Sequence, residues 1–398
     1  MRVYLNFIIY ELVIILHNDR MTTSFHLPYY PRPAFLAGVL TVLASGLQQG
    51  VTLFAPRRQG KTSFVQNELL PAAEEAGWQT VYLDLWRLRS DPATGLVEGL
   101  EAQLSPQRSG LLAKWKLSRV SGSFKPPMTE LKIEAEPDKA PANAQPRLEN
   151  RLATALDALV QRAEVTLLIL DEFQALASIE RDDFVAAFRT ALQKHRGRLL
   201  VFYTGSSRAA LNAMFRRAKA PLFQSAHSLA LPELDRGFVE DRAEFLRQRT
   251  GIIVSVDALE EAFARLGKSP EFMNWLIVDM MIRGNADIQA AMHAWRENQR
   301  TEVFDAVLDK VSGIDLGLLI VLATPDHPSC FSAEGVKRVQ ALCDDGMKVT
   351  PSKIQTSVNR LERKGLLAPT GNKGEYEIED RSLLVWLRES LEQDAKPG

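Results

Sequence analysis

Cysteine is scarce: Cys330 and Cys343 are the only two in 398 residues, and their spacing fits neither a C-x-x-C pair nor a zinc ligand set. That excludes a disulfide framework, and two reduced structural thiols in a cytoplasmic protein are the expected state. His17, His26, His195, His227, His293 and His327 lack H-E-x-x-H and H-x-x-x-H spacing, which removes the usual zinc-hydrolase layouts. An excess of one charge is missing as well. Lys plus Arg total 48 against 49 Asp plus Glu, so any nucleic-acid contact must come from a local patch.

Long hydrophobic runs are also absent. The most apolar stretch, Val3 to Leu16, carries Asn6 and Glu11 and is shorter than the ~20 residues a membrane-spanning helix needs. A single Arg2 before it and HNDR after it do not make a secretion signal. Residues 1–20 read as a doubtful extension, with Met21 as the expected natural start. The 46% apolar and 24% charged fractions are those of an ordinary globular protein, and the length predicts two or three domains.

What is present is chemistry for phosphate. VTLF, then APRRQGKTS, then FVQNELLPAAEEAG reads as strand, loop and helix. The loop matches G-x-x-x-x-G-K-[ST] at Gly60, Lys61 and Thr62, with Ala55 in place of the first glycine. Pro56 pushes Ala55 toward extended geometry, so that position does not need glycine. Backbone N–H groups from Ala55 through Pro56, Arg57, Arg58, Gln59 and Gly60 to Ser63 would wrap an anion at a helix N-terminus, proline lacking a donor. Lys61 is expected on the β- and γ-phosphates and Thr62 on Mg²⁺, with Arg57 and Arg58 raising the local positive potential.

A second motif is VTLLILDEFQAL, residues 165–176, a buried-strand pattern ending in two acids. Asp171 is expected to hold Mg²⁺ through water, and Glu172 to direct or deprotonate the water that attacks the γ-phosphate. RLLVFYTGSSR, residues 198–208, is a third strand; Thr204, Ser206 or Ser207 can face the γ-phosphate, or Ser206 or Ser207 can simply cap a helix. TVYLDL and a run near His227 to Leu231 complete the sheet.

FAPRRQGKTS, LLILDEFQAL, YTGSSRAALNAMF and APLFQSA together resemble the archaeal-type ATPase family, a branch related to AAA+ and STAND P-loop ATPases, over about residues 30–390. The resemblance implies an α/β fold with a five-stranded P-loop core, a helical lid and a C-terminal winged-helix domain. It also implies that Lys61, Thr62, Asp171 and Glu172 carry nucleotide, magnesium and water, and that the glutamate is catalytic. The family's Gly-Arg is replaced here by Gln224 and Ser225, which leaves an arginine finger to Arg208, Arg216 or Arg217, each more readily read as part of a solvated helix face.

The expected division is a P-loop ATPase core at 21–231 with an insertion at about 105–150, a lid at 232–305 and a winged helix at 306–398. LGKSPEFMNWLIVDM resembles the Gly-x-Pro region of the family's lids, which implies Gly267, Lys268 and Pro270 near the nucleotide and Lys268 able to touch phosphate, while Ser269 and Pro270 can equally serve as a local cap. In TPSKIQTSVNRLERKG, Ile354, Val358 and Leu361 form an inner stripe. Lys353, Gln355, Ser357, Asn359, Arg360, Arg363 and Lys364 are expected to face outward, with Asn372 and Lys373 at the wing tip, a face suited to a DNA groove. The leading expectation is an ATP-binding hydrolase and nucleotide-dependent switch using Mg·ATP. The alternatives are a DNA-binding regulator with ATP as a slow timer, and a signalling or defence scaffold assembled on a protein partner or as a homo-oligomer.

Overall fold

The computed structural model describes residues 29–88, 90–104, 147–177, 181–217, 219–304, 311–343, 347–370 and 374–394. The doubtful extension, nearly all of the expected insertion, Asn372 and Lys373 lie outside them. Residues Met1–Tyr30 form a separate unit from Pro31–Gly398, and the second unit carries the sheet, the helices that flank it and the C-terminal elements.

Five parallel strands, β1 Gly50–Phe54, β2 Gln79–Asp84, β3 Thr166–Asp171, β4 Leu199–Gly205 and β5 Ala226–Ala230, lie in the order β2-β3-β4-β1-β5. The continuous apolar run of β3 is explained by burial on both faces. Leu167 and Ile169 pack with Val51, Leu53, Phe64 and Phe202 on one side. Leu168 and Leu170 pack with Leu96, Leu156, Phe188 and Tyr203 on the other, since successive side chains point to opposite faces. β3 and β1 therefore both end at the same edge of the sheet, and the loop after β1 meets the acids after β3.

Before β1 runs helix α1, Pro33–Ala44; the loop after β1 leads into helix α2, Lys61–Phe64, which passes through a π-helical turn, Val65–Leu69, into Leu70–Glu75. α3 Pro92–Leu104, α4 Leu148–Val160 and α5 Asp182–Lys194 cover the opposite face, and α6 Arg208–Phe215 follows β4. Next come four helices, α7 Arg236–Thr250, α8 Val256–Arg265, α9 Pro270–Arg283 and α10 Ile288–Gln299. The final helices, α11 Gly313–Ala323, α12 Ala333–Ala341 and α13 Pro351–Arg363, precede an antiparallel hairpin, β6 Leu367–Pro369 with β7 Tyr376–Ile378, and then α14 Arg381–Asp394. Three helices followed by a hairpin are the winged-helix arrangement. Among the described residues no helix is long and apolar enough to cross a membrane.

α13 corrects two expectations. Thr350 caps it and Ile354, Val358 and Leu361 are buried as read, but Ser357 is fully buried and donates to Asp315. Arg360 also turns inward, donating to Asp315 Oδ1 at 2.7 Å and to Ser312 Oγ at 3.0 Å. Asp315 is wholly buried and forms a capping box with Ser312, so a polar network fastens α13 to α11 where an outward, DNA-facing pair was expected. Asp315→Ala should lower stability by about 2–4 kcal/mol through the lost cap and the stranded Ser357 hydroxyl. Thermal unfolding would show this, with Arg360→Ala milder because its side chain is 39% exposed.

Candidate active site

The loop between β1 and α2 closes around its own lysine. Lys61 is 5% exposed, and its ammonium donates to Ala55 O at 2.7 Å and Pro56 O at 3.1 Å. Burial lowers its pKa, while the charges of Glu172 and Asp171 act to raise it. The lysine and both acids thus share one electrostatic environment. Gly60 has φ +87°, and glycine is what this left-handed position takes at least cost.

Thr62 Oγ1 donates to Asp171 Oδ2 over 2.9 Å. The loop and the acidic strand, 109 residues apart in sequence, meet at that contact. Asp171 is 2% exposed and receives further bonds on its other oxygen from Thr204 Oγ1 and from Glu172 N, the latter at 3.0 Å. A hydroxyl and a carboxylate side by side form the oxygen-only donor set of a small hard cation that keeps most of its waters. Among the described residues no three His, Cys, Asp or Glu converge into a cage for a metal, so a cation here would draw its other ligands from water and phosphate.

Glu172 sits at φ 53°, ψ 43°, a left-handed conformation that costs a non-glycine residue about 1–3 kcal/mol and is concentrated at functional sites. Its Oε2 accepts from Ser206 Oγ at 2.7 Å and from Gln174 Nε2. Gly205 makes room for that glutamine, because a Cβ there would fall 2.5 Å from Gln174 Oε1. The two serines divide the readings that the sequence leaves open: Ser206 faces the acid, whereas Ser207 caps α6 by accepting from Ala210 N.

Other loop residues are placed less simply. Gln59 is buried and donates to Gly267 O at 3.2 Å. Arg58 turns away to Glu271, 2.7 Å, and lies over Phe272, so its charge is partly spent outside the loop. Arg57 is exposed and stacks on Trp86. Ser63 and Thr62 occupy the first, exposed turn of α2. Lys268 pairs with Glu233 at 3.0 Å, away from a phosphate role, and Ser269 both caps α9 and donates to Arg58 O at 2.9 Å. Arg216 and Arg217 are exposed.

Several residues here escaped sequence reading. Asp84 ends β2 directly opposite Asp171 in register; burial raises its pKa, and Asp171 and Glu172 add to the rise. Tyr82 OH donates to Asp171 Oδ2 at 2.8 Å. Arg32 lies against the loop, donating to Gln59 O at 3.3 Å. Glu379 lies just past β7; burial raises its pKa, and the charge of Arg57 acts against the rise. Parallel-strand register could have exposed Asp84; nothing local signals Glu379.

A nucleotide-type loop after β1 at the carboxyl edge of a parallel sheet, with its hydroxyl on the acid that ends β3, one strand beyond β4, defines a P-loop NTPase fold. No protein-family model matches the chain, and no curated protein sequence matches it. Solved structures do. A Walker-type ATPase of Pyrococcus abyssi superposes with a TM-score of 0.60 at 17% identity, covering 92% of this chain and 99% of that one. The ORC2 protein of Aeropyrum pernix in its ADP form gives 0.52 at 15% identity, covering 95% and 98%. Its ADPNP-ADP complexes give 0.50 at 15% identity over the same shares, 95% and 98%. The chain has the fold of the archaeal AAA+ P-loop ATPases.

Proposed function

We propose that the protein binds and hydrolyses Mg·ATP and works as a nucleotide-dependent switch. The observation that carries this reading is the Thr62–Asp171 contact of 2.9 Å beside a buried Lys61. The Aeropyrum ORC2 structures, described as ADP and ADPNP-ADP forms, support nucleotide binding by a chain of this fold. Magnesium, when bound, would neutralise phosphate charge, held by Thr62 and Asp171. Backbone N–H groups of residues 57–63 bind the phosphates, and Lys61 leaves its two carbonyls to meet them. Glu172 orients the attacking water through Oε1, to which nothing donates among the described residues, while Ser206 and Gln174 fix Oε2.

The switch runs from the loop through the lid at 232–305 to the winged helix at 306–398. Gln59 and Ser269 join loop and lid turn, and Arg381 of α14 donates to Gly267 O at 2.8 Å in that same turn. Arg265 and Glu389, paired at 2.6 Å, hold α8 to α14. A shift of Gln59 on phosphate binding is thereby passed to the C-terminal helix. Phosphate release measured with ATP and Mg²⁺ tests the hydrolytic reading; no turnover above a Glu172→Gln control contradicts it.

A second reading, that the winged helix contacts DNA, is favoured by the exposed Lys353, Gln355, Asn359, Arg363 and Lys364 along α13, on a face without Arg360. Lys353→Ala or Arg363→Ala should each reduce the salt slope of duplex binding by about 1. ATP-dependent self-association with no duplex affinity would favour the partner-assembled scaffold instead.

A further inference from the structure

Asp171 is saturated with donors, and one of them comes from outside both phosphate motifs. Each carboxylate oxygen offers about two acceptor sites. Oδ1 takes the Thr204 hydroxyl and the Glu172 amide, and Oδ2 takes Thr62 Oγ1 at 2.9 Å and Tyr82 OH at 2.8 Å. Tyr82 stands on β2, paired with Ile169 of β3, so its backbone is fixed by the sheet and its hydroxyl reaches Asp171 across one strand.

We propose that Tyr82 is a positioning residue for the cation site: it locks the Asp171 carboxylate against rotation so that the Thr62 hydroxyl, its proton held on Oδ2, presents its free lone pair to one hydrated divalent ion. This rests on the proposed nucleotide function. Thr62 keeps its proton on Asp171 while turning a lone pair outward, and Tyr82 keeps Oδ2 where that geometry holds. Loss of an outer hydrogen-bond partner of this sort weakens metal binding by about 10–100-fold.

The test is Mn²⁺ binding to the full chain with ADP, read by the loss of the free-ion paramagnetic resonance signal, alongside ADP affinity in EDTA. Tyr82→Phe keeps the ring in the sheet and should raise the Mn²⁺ midpoint about tenfold, with ADP affinity in EDTA held within about twofold. An unchanged or lowered midpoint in Tyr82→Phe, or an equal loss of ADP affinity in EDTA, overturns the positioning role alone. Failure of the unsubstituted chain to bind ADP in any condition overturns the nucleotide reading and this role with it.

Discussion

Glu172→Gln retains Mg·ATP binding and loses turnover by about 10²–10⁴-fold, the range that a positioned general base contributes. The substitution preserves shape and keeps an oxygen for the Ser206 hydroxyl, which bonds the native carboxylate at 2.7 Å. It removes the charge and the basic lone pair that a water proton would meet. The left-handed backbone at this residue, φ 53°, is strain held in place by the sheet and by the Asp171 bond to its amide. Relaxing it confers nothing on binding, so the effect belongs in kcat. Single-turnover phosphate release together with fluorescent-nucleotide binding separates the two; equal rates in both proteins would remove Glu172 from the reaction.

Lys61→Ala weakens nucleotide binding by about two orders of magnitude, since removing one member of a buried charged contact costs about 2–5 kcal/mol. The substitution also leaves Ala55 O and Pro56 O without their donor, which loosens the loop even when it is empty. The pH dependence has a definite sign. Burial depresses the Lys61 pKa in the folded chain, so at alkaline pH the folded state holds fewer protons than the unfolded one, and stability rises with pH in that window. A triphosphate favours the ammonium, so its binding takes up a proton there, and affinity falls as pH climbs through the depressed pKa. Titration calorimetry in buffers of different ionisation heat measures that uptake, which should vanish in Lys61→Ala.

The legible part of this site was the part built from residue types in contiguous runs. Gly60, Lys61, Thr62, Asp171 and Glu172 are adjacent within their two segments, and the strands carrying them advertise themselves by burial on both faces. Tyr82 and Asp84 were hidden because TVYLDL is an ordinary strand until its register against β3 is known; only then does Asp84 stand opposite Asp171. Gln174 and Ser206 acquire meaning from the turn at Glu172, a backbone choice that no residue preference announces. α13 was misread for a different reason. Ser357 lies one turn from Ile354 and Leu361 on the inner stripe and was assigned outward on polarity alone, although a buried acid on α11 was waiting for it. Arg360 followed the same error, since a guanidinium at the edge of an apolar stripe reaches inward as readily as outward.

The claim on which the rest depends is that one pocket grips a triphosphate between the loop of residues 55–62 and the acids after β3. A crystal structure of the full chain grown with Mg²⁺ and ADPNP tests it most directly. The predicted result places the β- and γ-phosphates within hydrogen-bond distance of the amides of residues 57–62 and the Lys61 ammonium, with the cation between Thr62 and Asp171. Nucleotide bound on another surface, or no nucleotide at saturating concentration, would contradict it.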